Sequence, residues 1–152
     1  MRYHINKINC QEAELILNYK ELDPEVEAAI AFMEKSQKRL IGKKEGQVIV
    51  FSPEEVLYFE KVDDKTFAYT DNNVIQVDMS LYSIEVMLDD DRYFRCSKSM
   101  IVNVSKVSKL KSLPSNRIDV TLTNGEHIII SRTYASNFRK LLKENYNEKA
   151  GK

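Results

Sequence analysis

A chain of 152 residues and 17.7 kDa has room for one domain with a modest extension, and 43% apolar residues with only 4 Gly and 3 Pro exclude a disordered, collagenous or low-complexity chain. No stretch approaches the roughly 20 apolar residues of a membrane span, Met1-Arg2-Tyr3-His4 does not open a signal peptide, and Cys10 and Cys96 cannot supply a disulfide scaffold or a structural zinc site, so a cytoplasmic protein is expected. Lys+Arg and Asp+Glu are equal at 23 each, and the zero total argues against a polyanion partner until the charges are placed along the chain.

Residues 2–8 alternate weakly and suit a strand, whereas 13–19 fit a strand or a short helix equally. Asp23-Pro24 reads as a helix start, with Asp as N-cap and Glu25 and Glu27 at the positive end of the dipole. Val26, Ala29, Ile30 and Met33 then share one face, and Gly42 and Gly46 bracket a break. Val48–Phe51 is a short apolar strand, and Ser52-Pro53-Glu54-Glu55 spells a capping box over a turn or two of helix. Val56–Lys61 follows as a strand with Leu57 and Phe59 on one side and Tyr58 on the other. Turns at Asp63-Asp64-Lys65 and Asp71-Asn72-Asn73 separate strands at 66–70 and 74–77, the spacing of an antiparallel meander. Ser80 caps a helix carrying Leu81, Ile84 and Leu88, and Met100-Ile101-Val102 is buried-strand material. Val107–Leu110 and the alternating Ile118, Val120 and Leu122 are strands, with a turn at Pro114-Ser115-Asn116 between them. Asn124-Gly125 signals a hairpin returning through Ile128-Ile129-Ile130. Tyr134, Phe138, Leu141 and Leu142 line a last helix, and the tail from Asn145 is expected to fray.

Along the chain the charge separates. Residues 1–91 carry ten basic and nineteen acidic side chains, a net of −9; residues 92–143 carry eleven basic and two acidic, a net of +9. A block of that density fits a polyanion if the fold gathers it on one face, and fits internal neutralisation of the acidic half if it does not. No catalytic set assembles. His4 and His127 have no neighbouring ligand at metal spacing, the four glycines form no phosphate loop, and Cys96, although beside Arg95 and Lys98, reads as a buried strand residue. No catalytic residue, cofactor or metal is therefore assigned, and a non-enzyme is expected.

The informative stretch is Tyr93-Phe94-Arg95-Cys96-Ser97-Lys98-Ser99-Met100-Ile101-Val102-Asn103, a cationic, hydroxyl-rich segment running into a buried strand. Ser131-Arg132-Thr133 repeats the theme after the hairpin. Lys and Arg reach phosphates and guanine edges, and Ser and Thr donate to phosphates, so loops of this kind suit DNA; ordinary solvated loops have the same composition.

In order, these features resemble the LytTR-type DNA-binding domain of bacterial regulators. Val56-Leu57-Tyr58-Phe59-Glu60 stands for the family's "I-x-Y-I-E" strand. Tyr93, Arg95, Ser97, Lys98, Ser99, Val102 and Asn103 stand in its hallmark Phe-x-Arg-x-His-Arg-Ser-x-x-Val-Asn pattern, with Ser97 where many members have His and Lys98 where many have Arg. The resemblance runs from 44 to 143. It implies a mainly β fold, an elongated antiparallel β-sheet domain, preceded by a short α/β extension at 1–43 and followed by a flexible tail at 144–152. It also implies sequence-specific binding of double-stranded DNA through loops. Lys98 falls at the base-contacting position, Arg132 at the basic position after the hairpin, and Lys65 and Thr66 in the loop of a third contact. Arg95, Ser97, Ser99, Asn103 and Ser131 complete the expected DNA-binding set. A standalone transcription regulator is implied, of a type often encoded beside small membrane proteins, acting as a homodimer on paired repeats with the 26/29/30/33 face as a dimerisation element. The competing reading is a non-catalytic protein-interaction module controlled by a partner protein, such as a membrane protein.

Overall fold

The computed structural model describes residues 2–5, 7, 15–36 and 38–150. The chain forms two compact units, Met1–Gln37 and Lys38–Lys152. The second starts before the boundary expected at 43/44, because Leu40 already belongs to its core. In the first unit, helix α1 spans Pro24–Ser36, and Asp23 caps it through Oδ1, which accepts from Val26 N at 2.8 Å. The expected strand over 2–8 is absent where that segment is described, at 2–5 and 7, and 15–19 is neither helix nor strand; residues 8–14 lie outside the described residues.

The second unit is mainly β. A seven-stranded sheet runs in the order β2-β1-β5-β4-β3-β7-β6, from strands β1 (Leu40–Lys44), β2 (Gln47–Phe51), β3 (Val56–Val62), β4 (Lys65–Thr70), β5 (Val74–Val77), β6 (Tyr93–Ser97) and β7 (Met100–Asn103). A three-stranded sheet follows in the order β10-β9-β8, from β8 (Val107–Leu113), β9 (Arg117–Leu122) and β10 (His127–Ile130). Every pairing is antiparallel. Helix α2 (Leu81–Leu88) starts at its Ser80 cap, whose Oγ accepts from Ser83 N at 3.0 Å. Helix α3 runs Arg132–Ala150, so helical backbone continues past the expected end of order at Asn145.

The large sheet is buried on both faces around β3 and β7, while β1, β2 and β5 alternate between buried and exposed residues. Leu81, Ile84 and Leu88 of α2 cover one face together with Val56, Phe59, Ala68, Ile75, Tyr93 and Ile101. On the other face Leu57, Tyr58, Cys96 and Val102 meet Ile118, Val120, Leu122, Ile128 and Ile130 of the small sheet and Ala135 and Phe138 of α3. The side assignment in β3 therefore needs correction. Leu57 joins Tyr58, not Phe59, because a register shift between Val56 and Tyr58 breaks the alternation.

The Gly42–Gly46 segment is not a break either. Gly42 lies inside β1 opposite Val77 of β5, where a Cβ would come within 2.7 Å of Gln76 O. Gly46, at φ 78°, makes the β1–β2 turn.

Candidate nucleic-acid interface

Three turns meet at one end of the second unit. The β6–β7 connection is two residues long, Lys98-Ser99, with Ser97 paired to Met100. Ser99 O accepts from Lys61 N at 2.8 Å, which ties this turn to the end of β3 and so to the Asp63-Asp64 turn that precedes Lys65. Cys96 O accepts from Ser131 N at 3.0 Å, which brings the β10–α3 junction and Arg132 against the same strand. Lys65, Lys98 and Arg132, expected from three separate loops, are thus placed at one edge, and all three are exposed. A cleft of about 460 Å³ opens between the first two turns, lined by Lys61, Lys65, Arg95 and Lys98 with Asp64 and Asp78. Lys61 lies 3.8 Å from Asp64, an exposed pair that leaves the cationic excess largely intact.

The remaining expected residues have other positions. Asn103 is 1% exposed, and its Nδ2 donates to Val56 O at 2.9 Å while its Oδ1 accepts from Ser105 N at 3.1 Å. That amide holds two strands and caps the 3₁₀ turn at Val104–Lys106, so the structure gives this residue of the expected DNA-binding set a buried, fold-supporting place. Thr66 is also buried, at 6% exposure, inside β4 next to the exposed Lys65. Arg95 is turned inward. Its Nη1 donates to Glu85 Oε2 at 3.1 Å, its Nε to Ser97 O at 2.8 Å, and its Nη2 to Lys98 O. Ser97 and Ser99 form the turn itself: Ser97 Oγ accepts from Ser99 N at 3.2 Å and lies 3.4 Å from Ser99 Oγ. Ser131 is half-buried, and its carbonyl accepts from Tyr134 N and Ala135 N as α3 begins.

The basic block is consequently not one strip. Arg92 pairs with Asp90 at 2.8 Å and approaches Glu54 at 3.9 Å; its hydrogen bond to Asp90 holds its pKa up. Lys106 lines a separate cleft with Glu54, Glu55 and Asp71. Lys109 and Lys111 stand on the exposed strand β8. Of the block, Arg92 and Arg95 pair with acidic side chains inside the unit, and Lys98 and Arg132 stand exposed at the loop end beside Lys65, which comes from the acidic half of the sequence.

Cys96 is fully buried, and burial pushes its thiol up to about 12, so it is a neutral core residue at pH 7. His127 is an exposed strand residue beside Asp119, at 3.0 Å. Among the described residues no cluster of three metal-ligating side chains occurs, and no helix is long and apolar enough to cross a membrane. Sequence reasoning missed Glu85. Its signal was a lone acid at the polar edge of an apolar helix, which by itself names no partner.

Comparison with known proteins gives this arrangement a family. The model of the LytTr DNA-binding domain matches residues 46–143. The second unit resembles the solved LytTr DNA-binding domain of a Bacillus cereus regulator, with a TM-score of 0.67, 30% identity, and coverage of 70% of this chain and 97% of that one. An uncharacterized HTH-type transcriptional regulator of Staphylococcus aureus (strain MSSA476) is 25% identical over 140 residues, spanning 89% of this chain and 94% of its own. The sensory transduction protein LytT of Enterococcus faecalis is 27% identical over 99 residues, and the match covers 64% of this chain but only 40% of that protein. The chain belongs to the LytTR family of DNA-binding domains.

Proposed function

We propose that this protein is a transcriptional regulator that binds double-stranded DNA sequence-specifically through the turns carrying Lys65, Lys98 and Arg132. One observation supports this most: two backbone hydrogen bonds, Lys61 N to Ser99 O and Ser131 N to Cys96 O, bring three exposed cations from distant parts of the sequence to one edge. A rigid β scaffold holds short turns precisely enough to aim a side chain at a base edge, while flanking cations engage phosphates. Lys98, an ammonium where many relatives carry a guanidinium, makes a point contact and not a planar fork, so it selects a different base pattern. The protein acts in the cytoplasm as a homodimer on paired sites. The expected 26/29/30/33 face is buried or half-buried, and what supports pairing is that the first unit leaves Tyr3, Ile5, Leu15, Ile16 and Phe32 between 66% and 87% exposed, since two linked contacts bind more tightly than one.

The test is a polarisation titration against duplexes that the wild-type chain recovers from a randomised pool. Binding should weaken linearly in log K against log salt, and Lys98→Ala and Arg132→Ala should each cost about 1–3 kcal/mol. Sedimentation with a duplex bearing two copies of the recovered site should give two chains per duplex. Failure to recover any duplex with salt-sensitive binding defeats the proposal.

A further inference from the structure

Arg95 is the one basic side chain of the loop end that spends its donors inward. It leaves β6 one residue before the bulged Cys96, and its guanidinium bridges two elements. On one side it takes the Ser97 and Lys98 carbonyls, the two that flank the tip of the turn. On the other it takes Glu85 Oε2 from the second turn of α2, with the two side chains only 25% and 33% exposed. A two-residue turn with no Gly or Asn, and no positive φ at Lys98 or Ser99, lacks the residues that favour a tight hairpin, and the Ser97 Oγ bond from Ser99 N restrains an amide but not the turn's carbonyls. Its carbonyls would otherwise face solvent. A planar fork fixed by a carboxylate supplies the missing constraint, and an ammonium cannot span both carbonyls and the acid at once.

We infer that Arg95 and Glu85 are positioning residues for DNA recognition: the α2 carboxylate orients the Arg95 guanidinium, which clamps the turn and sets the direction in which Lys98 leaves it. This rests on the reading of Lys98 as a DNA contact. Neither residue touches DNA. Arg95 therefore contributes to sequence discrimination without contributing a phosphate contact, and α2 becomes part of the recognition apparatus although it is remote from the duplex in sequence and in role.

The experiment is a double-mutant cycle using duplexes recovered by the wild-type chain from a randomised pool, with scrambled duplexes of equal length as the non-specific reference. Glu85→Gln and Arg95→Lys should each lower affinity for the recovered duplex about tenfold. They should leave affinity for the scrambled duplex, and the slope of log K against log salt, as in wild type. In a Lys98→Ala background the same substitutions should have almost no further effect. Glu85→Gln, which keeps the shape of a partly exposed side chain, keeps the test intact if Arg95→Lys folds poorly; thermal melts of each variant verify the fold.

A salt slope reduced by about one in Arg95→Lys would mean that Arg95 meets a phosphate directly, and the inference falls. Losses that persist undiminished in the Lys98→Ala background would also overturn it, as would wild-type affinity in both single variants. If Lys98→Ala weakens binding while Glu85→Gln does not, DNA recognition stands and the positioning role alone is lost. If the wild-type chain recovers no duplex, the functional reading itself has failed.

Discussion

Asn103 separates what the hallmark motif does for the fold from what it does for the ligand. A buried amide has up to four hydrogen-bonding positions, and here it gives one to Val56 O and takes two from Ser105, the backbone N–H and the hydroxyl at 2.6 Å. Removing it leaves the carbonyl of the fully buried Val56 without this donor and uncaps the turn at Val104–Lys106. Asn103→Ala should therefore destabilise the second unit by about 1–3 kcal/mol in urea unfolding. The protein that remains folded should bind DNA with the wild-type salt slope, because no phosphate contact has gone. A changed slope with unchanged stability would return Asn103 to the interface. Lys98, three positions before the buried Ile101, has the opposite profile: it is exposed, its backbone is held, and its side chain is free to reach.

At the scale of strands and helices, most of the fold was legible because the usual signals were present. Asp23-Pro24 and Ser80 cap helices as expected, Ser52 through Glu55 form the capping box, and Asn124-Gly125 makes a hairpin with Gly125 at φ 90°. Three places were not legible, each for its own reason. Strand β1 was hidden because Gly42 reads as a breaker, whereas its cause is the close approach of β5. The β3 bulge was hidden because a run of apolar residues looks the same in either register. The Lys98-Ser99 turn was hidden because it contains no Gly, Pro, Asn or Asp; Ser97 Oγ accepts from Ser99 N within it, and Arg95, paired with Glu85 ten residues away, bonds the Ser97 and Lys98 carbonyls. Of the expected loop set, Lys65, Lys98 and Arg132 are exposed and Thr66 and Asn103 buried, a difference that a motif pattern does not carry because it records residue type and order but not burial. The β1 case is testable. Gly42→Ala puts a methyl against Gln76 O and Ile75 Cγ2, and nothing about the backbone there is left-handed. The cost is pure crowding, about 1–3 kcal/mol, read as a lower urea midpoint. An alanine variant as stable as wild type would show that β1 and β5 separate without loss.

Across the second unit, the two faces of the large sheet are tied to different partners, and one buried phenol sits on each. Tyr93 packs with the α2 layer, and burial pushes its pKa up to about 12. Tyr58 packs with the small sheet, stacks on Tyr69 with ring centroids 4.4 Å apart, and donates to Glu126 Oε2 at 2.8 Å. Burial first, and then that hydrogen bond, raise its pKa as well. An unfolded chain releases these protons near pH 10. Below that value both states keep them and the stabilisation is complete. Above it the unfolded state loses protons that the folded state retains, so stability falls as pH rises toward the folded values. Urea midpoints should therefore drop from about pH 10 toward about pH 12. Tyr93→Phe and Tyr58→Phe should each make that drop shallower, whatever they do to stability at neutral pH. If the two layers unfold as one cooperative body, fluorescence and far-UV dichroism will give the same midpoint at every pH, and either substitution will shift both probes together. Probes that part at alkaline pH, with Tyr58→Phe affecting only one of them, would mean that the small sheet and α3 detach from the large sheet first. Arg132 would then leave the edge where Lys98 remains, and DNA affinity would be lost before the α2 layer opens.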